Sequence, residues 1–349
     1  MNGDKKLTEM LGIQYPIVQA PMLGVTSPEM VAAVSNGGGL GSLPLGGLAA
    51  GVARKLIHQT KALTNKPFAV NLFTYTIPAI AYETAESMAL FLKEICTIND
   101  LNYTKPDLAQ LQFHSYEELI PVLLDENIPI VSFTFGCPDD AAIAAFKSRG
   151  VKLIGTVTSV EEAVFLAEKG IDMLTVQGIE AGGHRGSFLS ETIPQTGLFT
   201  LLPQIADVVS LPLLAAGGIY DQRTIAAAHQ LGASGVQIGS LFITANESLA
   251  SDLYKSSIMQ ASETGTVLTR AVTGRWLRAL RNRLIDLVES SGQVVPAYPV
   301  QGSLTAPIRS LAQAQGIADF FPMLAGQACS RAVKQSAAEI LSKLVDAYR

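Results

Sequence analysis

Eight short apolar runs alternate with stretches of helical periodicity, and this alternation restricts the fold more than any other feature of the chain. The runs fall at 17–20, 40–43, 68–73, 129–133, 152–156, 173–176, 213–216 and 235–238. Most are separated by segments with apolar residues at three and four spacing, such as SPEMVAAVSN, DDAAIAAFKSRG, SVEEAVFLAEKG and TIAAAHQLG. Strands joined through helices run parallel, and a parallel strand buried on both faces reads as a continuous apolar run. Eight such units predict an α/β chain closed as a (β/α)8 TIM barrel, with a doubly wound open sheet as the alternative. GGGLG at 37–41 lacks the spacing of a dinucleotide fingerprint, and no Walker sequence is present.

Local signals agree with these units. Ser27–Pro28 before Glu29 predicts a helix start, and Ser159 followed by Glu162 predicts a capping box. Gly150, Gly170 and Gly232 are expected as left-handed helix caps. The third and fourth runs lie more than 50 residues apart, too far for an ordinary connection. The predicted organisation is therefore a barrel over 1–243 with an insertion at about 74–127, carrying helices near 85–95 and 116–125. Residues 244–349 are expected to form a mainly helical region packing over the barrel mouth.

The hydrophobic fraction of 48% and charged fraction of 16% suit a large buried core. A net charge of −5 argues against a nucleic-acid partner. The one basic cluster, Arg275, Arg278, Arg281 and Arg283, is expected on the solvated or salt-bridged face of a helix. Cys96, Cys137 and Cys329 are far apart, a reduced pattern with no metal spacing, so no metal is expected. MNGDKKLTEML lacks an apolar signal stretch, and a cytoplasmic location is expected. Residues 30–53 carry no charge and could span a bilayer by length, but their seven glycines and Pro44 predict a strand and turn within a folded core. No membrane partner is expected, and the sequence is compatible with a homodimer.

In such a barrel the chemistry lies at the C-terminal strand ends. Three late runs lead straight into glycine: LTVQGIEAGGHRG, LPLLAAGGI and GVQIGS. The turns Gly217–Gly218 and Gly239–Ser240 follow the seventh and eighth runs, where barrels of this kind often bind phosphate through free backbone N–H groups. His184 sits among glycines at a strand end, and its imidazole can give or take a proton near neutral pH. His58, His114 and His229 lie on helix-like segments and suit surface or packing roles. Asn71 and Gln177 are amides ending apolar strands; a flavin ring edge or a neighbouring strand could satisfy them. Cys137 has no adjacent base to make it a nucleophile.

Taken together, QAPMLGVTSPEMVAAVSNGGGLG, NLF, VSFTFG, VQGIEAGGHRGSF, LLPQIADVV, AAGGI and GVQIGSLFITANES resemble the nitronate monooxygenase family over most of the chain. Tyr298–Pro299 and AGQA at 325–328 match more weakly. HRG, FTFG and the long insertion are similar to the first class of that family. The resemblance implies noncovalent FMN, held by Pro21, Met22, Leu23, Asn71, Gln177, Gly182, Gly218, Gln237, Ile238, Gly239 and Ser240, with His184 as the catalytic residue. It implies oxidation of small alkyl nitronates, such as propionate 3-nitronate, by O2 to a carbonyl compound and nitrite. The chain departs from the family where Leu241 stands in place of a common arginine. Flavin-dependent enoyl-acyl-carrier-protein reductases share EAGGH and AAGGI and use NAD(P)H, so they remain the alternative; a non-enzymatic flavin-binding role is the third reading.

Overall fold

The structure, a computed structural model, describes residues 2–348. Its strands are β1 (Ile17–Gln19), β2 (Gly41–Pro44), β3 (Phe68–Phe73), β4 (Ile130–Thr134), β5 (Lys152–Val157), β6 (Met173–Gln177), β7 (Gly183–His184), β8 (Leu213–Ala216), β9 (Gly235–Ile238), β10 (Thr266–Thr269) and β11 (Leu277–Leu280). All but β7, β10 and β11 pair in parallel in the order β1-β9-β8-β6-β5-β4-β3-β2. The two ends of that sheet meet where Val18 bridges Leu40 and Gln19 N donates to Leu40 O at 2.9 Å. The ring is the expected (β/α)8 barrel, and the open-sheet alternative is overturned. Each of the eight apolar runs is a barrel strand, displaced by no more than one residue at either end.

The chain builds a floor under this ring. The helix Asn2–Leu11 packs Leu7 and Leu11 against Val18, Leu40, Ala69, Ile130, Ile154, Met173 and Leu214. Leu7 reaches Gly235, the first residue of β9, so the floor closes the N-terminal end of the barrel. Outside the ring, Ser27 caps the helix Pro28–Asn36 by accepting from Met30 N at 3.0 Å. Gly150, Gly170 and Gly232 take φ of +72°, +74° and +103°, as expected of glycine after a helix.

One predicted cap is only half formed. Ser159 accepts from Glu162 N at 3.2 Å, but the Glu162 carboxylate does not return to Ser159 N. It accepts instead from Thr158 N at 2.6 Å, Thr158 Oγ1 at 2.8 Å and Phe188 N at 2.7 Å. Glu162 is fully buried, and it ties its helix to the loop beyond His184.

Above the barrel, the insertion and the C-terminal segment share one apolar core. Met88, Leu92 and Ile95 of the helix Tyr82–Ile98 pack with Leu304 and Ile308 of the helix Val300–Gln315, and with Leu284, Val288 and Phe320. Burying each such side chain contributes about 1.5–3 kcal/mol, enough to join pieces that are distant in sequence. The helical pattern expected after residue 243 is interrupted by β10 and β11, which are antiparallel; β11 in turn pairs with β7, Leu277 opposite His184. The last helix, Ala337–Val345, packs on the helix Pro28–Asn36 and places Ile340, Leu341 and Leu344 in the core around the barrel. Residues after 243 thus serve both the cap and the barrel wall.

The basic cluster does not share a helix face, which corrects the sequence expectation. The backbone is extended through Leu277–Leu280. Arg275 and Arg278 turn inward, whereas Arg281 and Arg283 are exposed, with Arg281 paired to Asp286 at 2.8 Å. His114 lies in a loop rather than on a helix and bonds Glu118 at 2.9 Å. Residues 30–53 pass through a helix, β2 and the start of another helix. Among the described residues no helix is long and apolar enough to cross a membrane.

Candidate active site

At the C-terminal mouth, β6 runs into a glycine loop that returns as β7. Gly182 approaches the chain at Ala325 and Gly326 so closely that a Cβ would come within 2.3 Å of Gly326 N. Gly183 takes φ of +76°. Glycine at both positions lets the loop turn beneath the C-terminal segment and present His184.

Gln177 locks this loop from the end of β6. Its Nε2 donates to His184 O at 2.9 Å, while Oε1 accepts from Gly186 N at 2.9 Å and Arg185 Nη1 at 3.1 Å. Arg185 is fully buried and donates to the carbonyls of Gln177, Gly178 and Pro194 at 3.0, 2.7 and 3.1 Å. The histidine is therefore held by backbone and side-chain bonds, not left on a free loop.

His184 Nε2 lies 2.9 Å from Thr273 Oγ1. Phe135, Tyr298 and Phe73 meet the imidazole edge to face, with centroids 5.4, 5.7 and 6.2 Å away. Tyr75 packs on Tyr298 at 4.8 Å and completes an aromatic wall. Phe135 takes φ of +79°, which is rare for a residue with a side chain and costs about 1–3 kcal/mol. Burial, then the charges of Arg275 and Arg309, push His184 down to about 3. The imidazole is therefore neutral near pH 7, with one ring nitrogen unprotonated. Burial also lowers Arg275, to about 10, so it remains a cation.

The second half of the mouth is built from backbone. Gly217 and Gly218 take φ of +115° and +68°. Among the described residues no hydrogen bond engages the N–H of Gly217, Gly218, Gly239 or Ser240. Ser240 Oγ accepts from Gly326 N at 3.0 Å, which leaves its own O–H to donate elsewhere. The helix after β8 contributes nothing to this anion cradle. Its N-terminus is closed by Asp221, which accepts from Thr224 N at 3.0 Å. The helix after β9, Ser240–Ile243, is a single turn. The free N–H groups thus belong to the turns that follow β8 and β9.

The remaining sequence candidates occupy distinct positions. Gly239 packs against Ala20 and Met22, which brings the Pro21–Met22 turn to the end of β9. Pro21 and Met22 are half-buried and Leu23 is exposed. Asn71 is buried and donates to Ser132 Oγ at 3.0 Å. Gln237 Oε1 accepts from Thr175 Oγ1 at 3.3 Å. The Ile238 side chain lies in the core, so only its backbone faces the mouth. Burial pushes the Cys137 thiol up to about 11, which keeps it protonated and unreactive at neutral pH. Thr273, Arg275, Arg309, Phe135 and Tyr75 were not singled out as site residues from sequence; for Arg275 the signal was present in the basic cluster but read as surface charge.

A family model described as nitronate monooxygenase matches residues 4–347. The chain belongs to the nitronate monooxygenase family. It is therefore an oxidoreductase. A probable nitronate monooxygenase of Staphylococcus saprophyticus is 39% identical over 99% of this chain and 98% of its own length. One from Staphylococcus aureus strain Newman is 38% identical over the same shares. Among solved structures, a nitroalkane oxidase from Streptomyces ansochromogenes is 34% identical, with a TM-score of 0.88 over 98% of each chain. FabK from Thermotoga maritima is similar at 26% identity and a TM-score of 0.76, over 98% of this chain and 95% of its own. Within the nitronate monooxygenase family, then, this chain's barrel mouth combines a neutral histidine, an aromatic wall and a glycine-lined backbone cradle.

Proposed function

We propose that this protein is an FMN-dependent nitronate monooxygenase that oxidises small alkyl nitronates, such as propionate 3-nitronate, with O2 to a carbonyl compound and nitrite. The observation that carries this reading is the pairing of His184 with the unengaged backbone N–H groups of Gly217, Gly218, Gly239 and Ser240 at one barrel mouth. Those donors fit a phosphate, because the three glycines leave an oxyanion free access to the main chain without a Cβ over it. The Ser240 hydroxyl, held by Gly326, adds a further donor.

FMN would be held at those turns, with Pro21, Met22, Leu23, Asn71, Gln177, Gly182, Gln237 and Ile238 along its length, and would supply the electron-accepting ring. The chain's own groups do the rest. His184, kept neutral by its surroundings, accepts the α-proton of a neutral nitroalkane or donates its ring N–H to an oxygen of the nitronate. Thr273 fixes the imidazole, and Gln177 fixes the loop that carries it. Phe73, Tyr75, Phe135 and Tyr298 restrict the pocket to short substrates and exclude water.

The purified protein is expected to show a flavin spectrum. In an oxygen electrode, propionate 3-nitronate should drive O2 consumption and nitrite release without NAD(P)H. Silence with that substrate, together with turnover of NADPH plus crotonyl thioester, would move the chain to the reductase class.

A further inference from the structure

Two guanidinium groups beside His184 lack the partners that buried cations usually have. Arg275 lies over the Phe135 ring, 4.0 Å from its centroid, and its Nη2 donates to Ser187 O. Arg309, on the helix Val300–Gln315, folds back along that helix so that Nη2 donates to Gly302 O at 3.2 Å. The Nε of each is buried with no hydrogen-bond partner. Neither meets a carboxylate among the described residues, whereas Arg54, Arg223 and Arg281 all do.

Arg185 shows what a purely structural guanidinium looks like in this fold. It also has a buried, unpartnered Nε, but its two terminal nitrogens donate to three carbonyls and to the Gln177 side chain. Arg275 and Arg309 each donate one such bond, leaving most of their five N–H groups unused. They also converge. Arg275 sits on Phe135, which packs against His184. The carbonyl that Arg309 holds belongs to Gly302, which packs on Thr273, the residue bonded to His184. Both cations thus flank the place where a substrate must meet the imidazole, inside an aromatic wall that strengthens any charge interaction by excluding water.

We propose that Arg275 and Arg309 bind a carboxylate carried by the nitronate, and so select compact substrates with a second negative charge. This rests on the nitronate monooxygenase reading above. A carboxylate matches the planar donor fork of a guanidinium and supplies the counter-charge that the fold withholds. A nitronate with a plain alkyl tail would leave both cations unpaired.

The test compares propionate 3-nitronate with propyl 1-nitronate, which has a methyl group where the first has a carboxylate. The wild-type holoenzyme should prefer the first in kcat/KM. Arg275→Met and Arg309→Met should each reduce that preference by about tenfold or more, and Arg309→Lys should recover part of it. Equilibrium dialysis of the holoenzyme with succinate and butyrate provides a readout independent of turnover. Succinate should bind about tenfold tighter than butyrate, and the methionine variants should erase the difference. Equal binding of the two acids by wild type, or an unchanged substrate preference in both methionine variants, overturns the proposal. Tight succinate binding with no turnover of any nitronate would instead overturn the nitronate reading while leaving a dianion site at the two arginines.

Discussion

Thr273 Oγ1 lies 2.9 Å from His184 Nε2, although the two residues are 89 apart in sequence. A residue of the C-terminal segment therefore orients the imidazole that follows the sixth barrel strand. Thr273→Val should keep the flavin and lower kcat about tenfold, since one orienting hydrogen bond is lost. Thr273→Ser should stay close to wild type. Equal kcat for the valine variant and the wild type would show that the contact is incidental.

His184→Asn should remain yellow and lose about 10²–10⁴-fold in turnover of neutral nitroalkanes, which need a proton removed. Preformed nitronates should suffer less, because their proton is already gone. Steady-state assays with nitroethane and with ethyl nitronate separate the two. Nitroalkane turnover within about threefold of wild type would assign the residue a structural role.

The pH dependence follows from the same histidine. Its folded pKa is held at about 3, below the 6.5 of an exposed imidazole, by burial and then by Arg275 and Arg309. Between these values the unfolded chain binds the proton and the folded chain does not. The histidine's stability contribution is therefore complete above about pH 6.5 and is lost as pH falls toward 3. Thermal melts should show a shallower decline from pH 6.5 to 4 for His184→Asn than for wild type. The catalytic pH profile should show no break near 6.5 from this group.

Gly218→Val should yield folded but colourless protein. Its φ of +68° strains any L side chain by about 1–2 kcal/mol, and the branched group would stand beside the unengaged N–H groups. Absorbance at flavin wavelengths, read beside the far-ultraviolet circular dichroism, checks both halves. Full flavin retention would remove the phosphate from this turn.

Glu162→Gln tests the buried carboxylate that links its helix to the loop beyond His184. The carboxylate accepts from Thr158 N, Thr158 Oγ1 and Phe188 N. An amide nitrogen in place of one oxygen would face donors, costing about 3 kcal/mol of unfolding free energy in a denaturant melt. A loss below about 0.5 kcal/mol would mean that the loop is held by other contacts.

The eight barrel strands were legible because each is buried on both faces, so its residues are apolar regardless of neighbours. The helix caps at Ser27, Gly150 and Gly170 were legible for a similar reason: capping is decided within a few residues. The strands β7, β10 and β11 were not. β7 is two residues long and carries a glycine, while β10 and β11 have no apolar run to mark them. β11 moreover pairs with β7 by an exchange of backbone bonds between segments about 90 residues apart, which side-chain pattern does not record.

The same division separates the site's parts. His184, Gly217, Gly218, Gly239 and Ser240 stood out because each residue type is tied to a local requirement: a titratable ring, backbone free of a Cβ, or a small hydroxyl at a turn. Sequence alone also limited the fold to a barrel or an open parallel sheet, since strand and helix periodicity are local, and the Val18–Leu40 bridge decided for closure. Only the tertiary structure decided that Arg275 and Arg309 are buried beside the histidine rather than solvated. A guanidinium's environment depends on which carbonyls and rings approach it, here Ser187, Gly302 and Phe135, and those arrive from separate parts of the chain. Burial first, and then their charges, hold His184 neutral, so the protonation state of the proposed base was set by tertiary packing and by residues that a one-dimensional reading assigns to solvent or passes over.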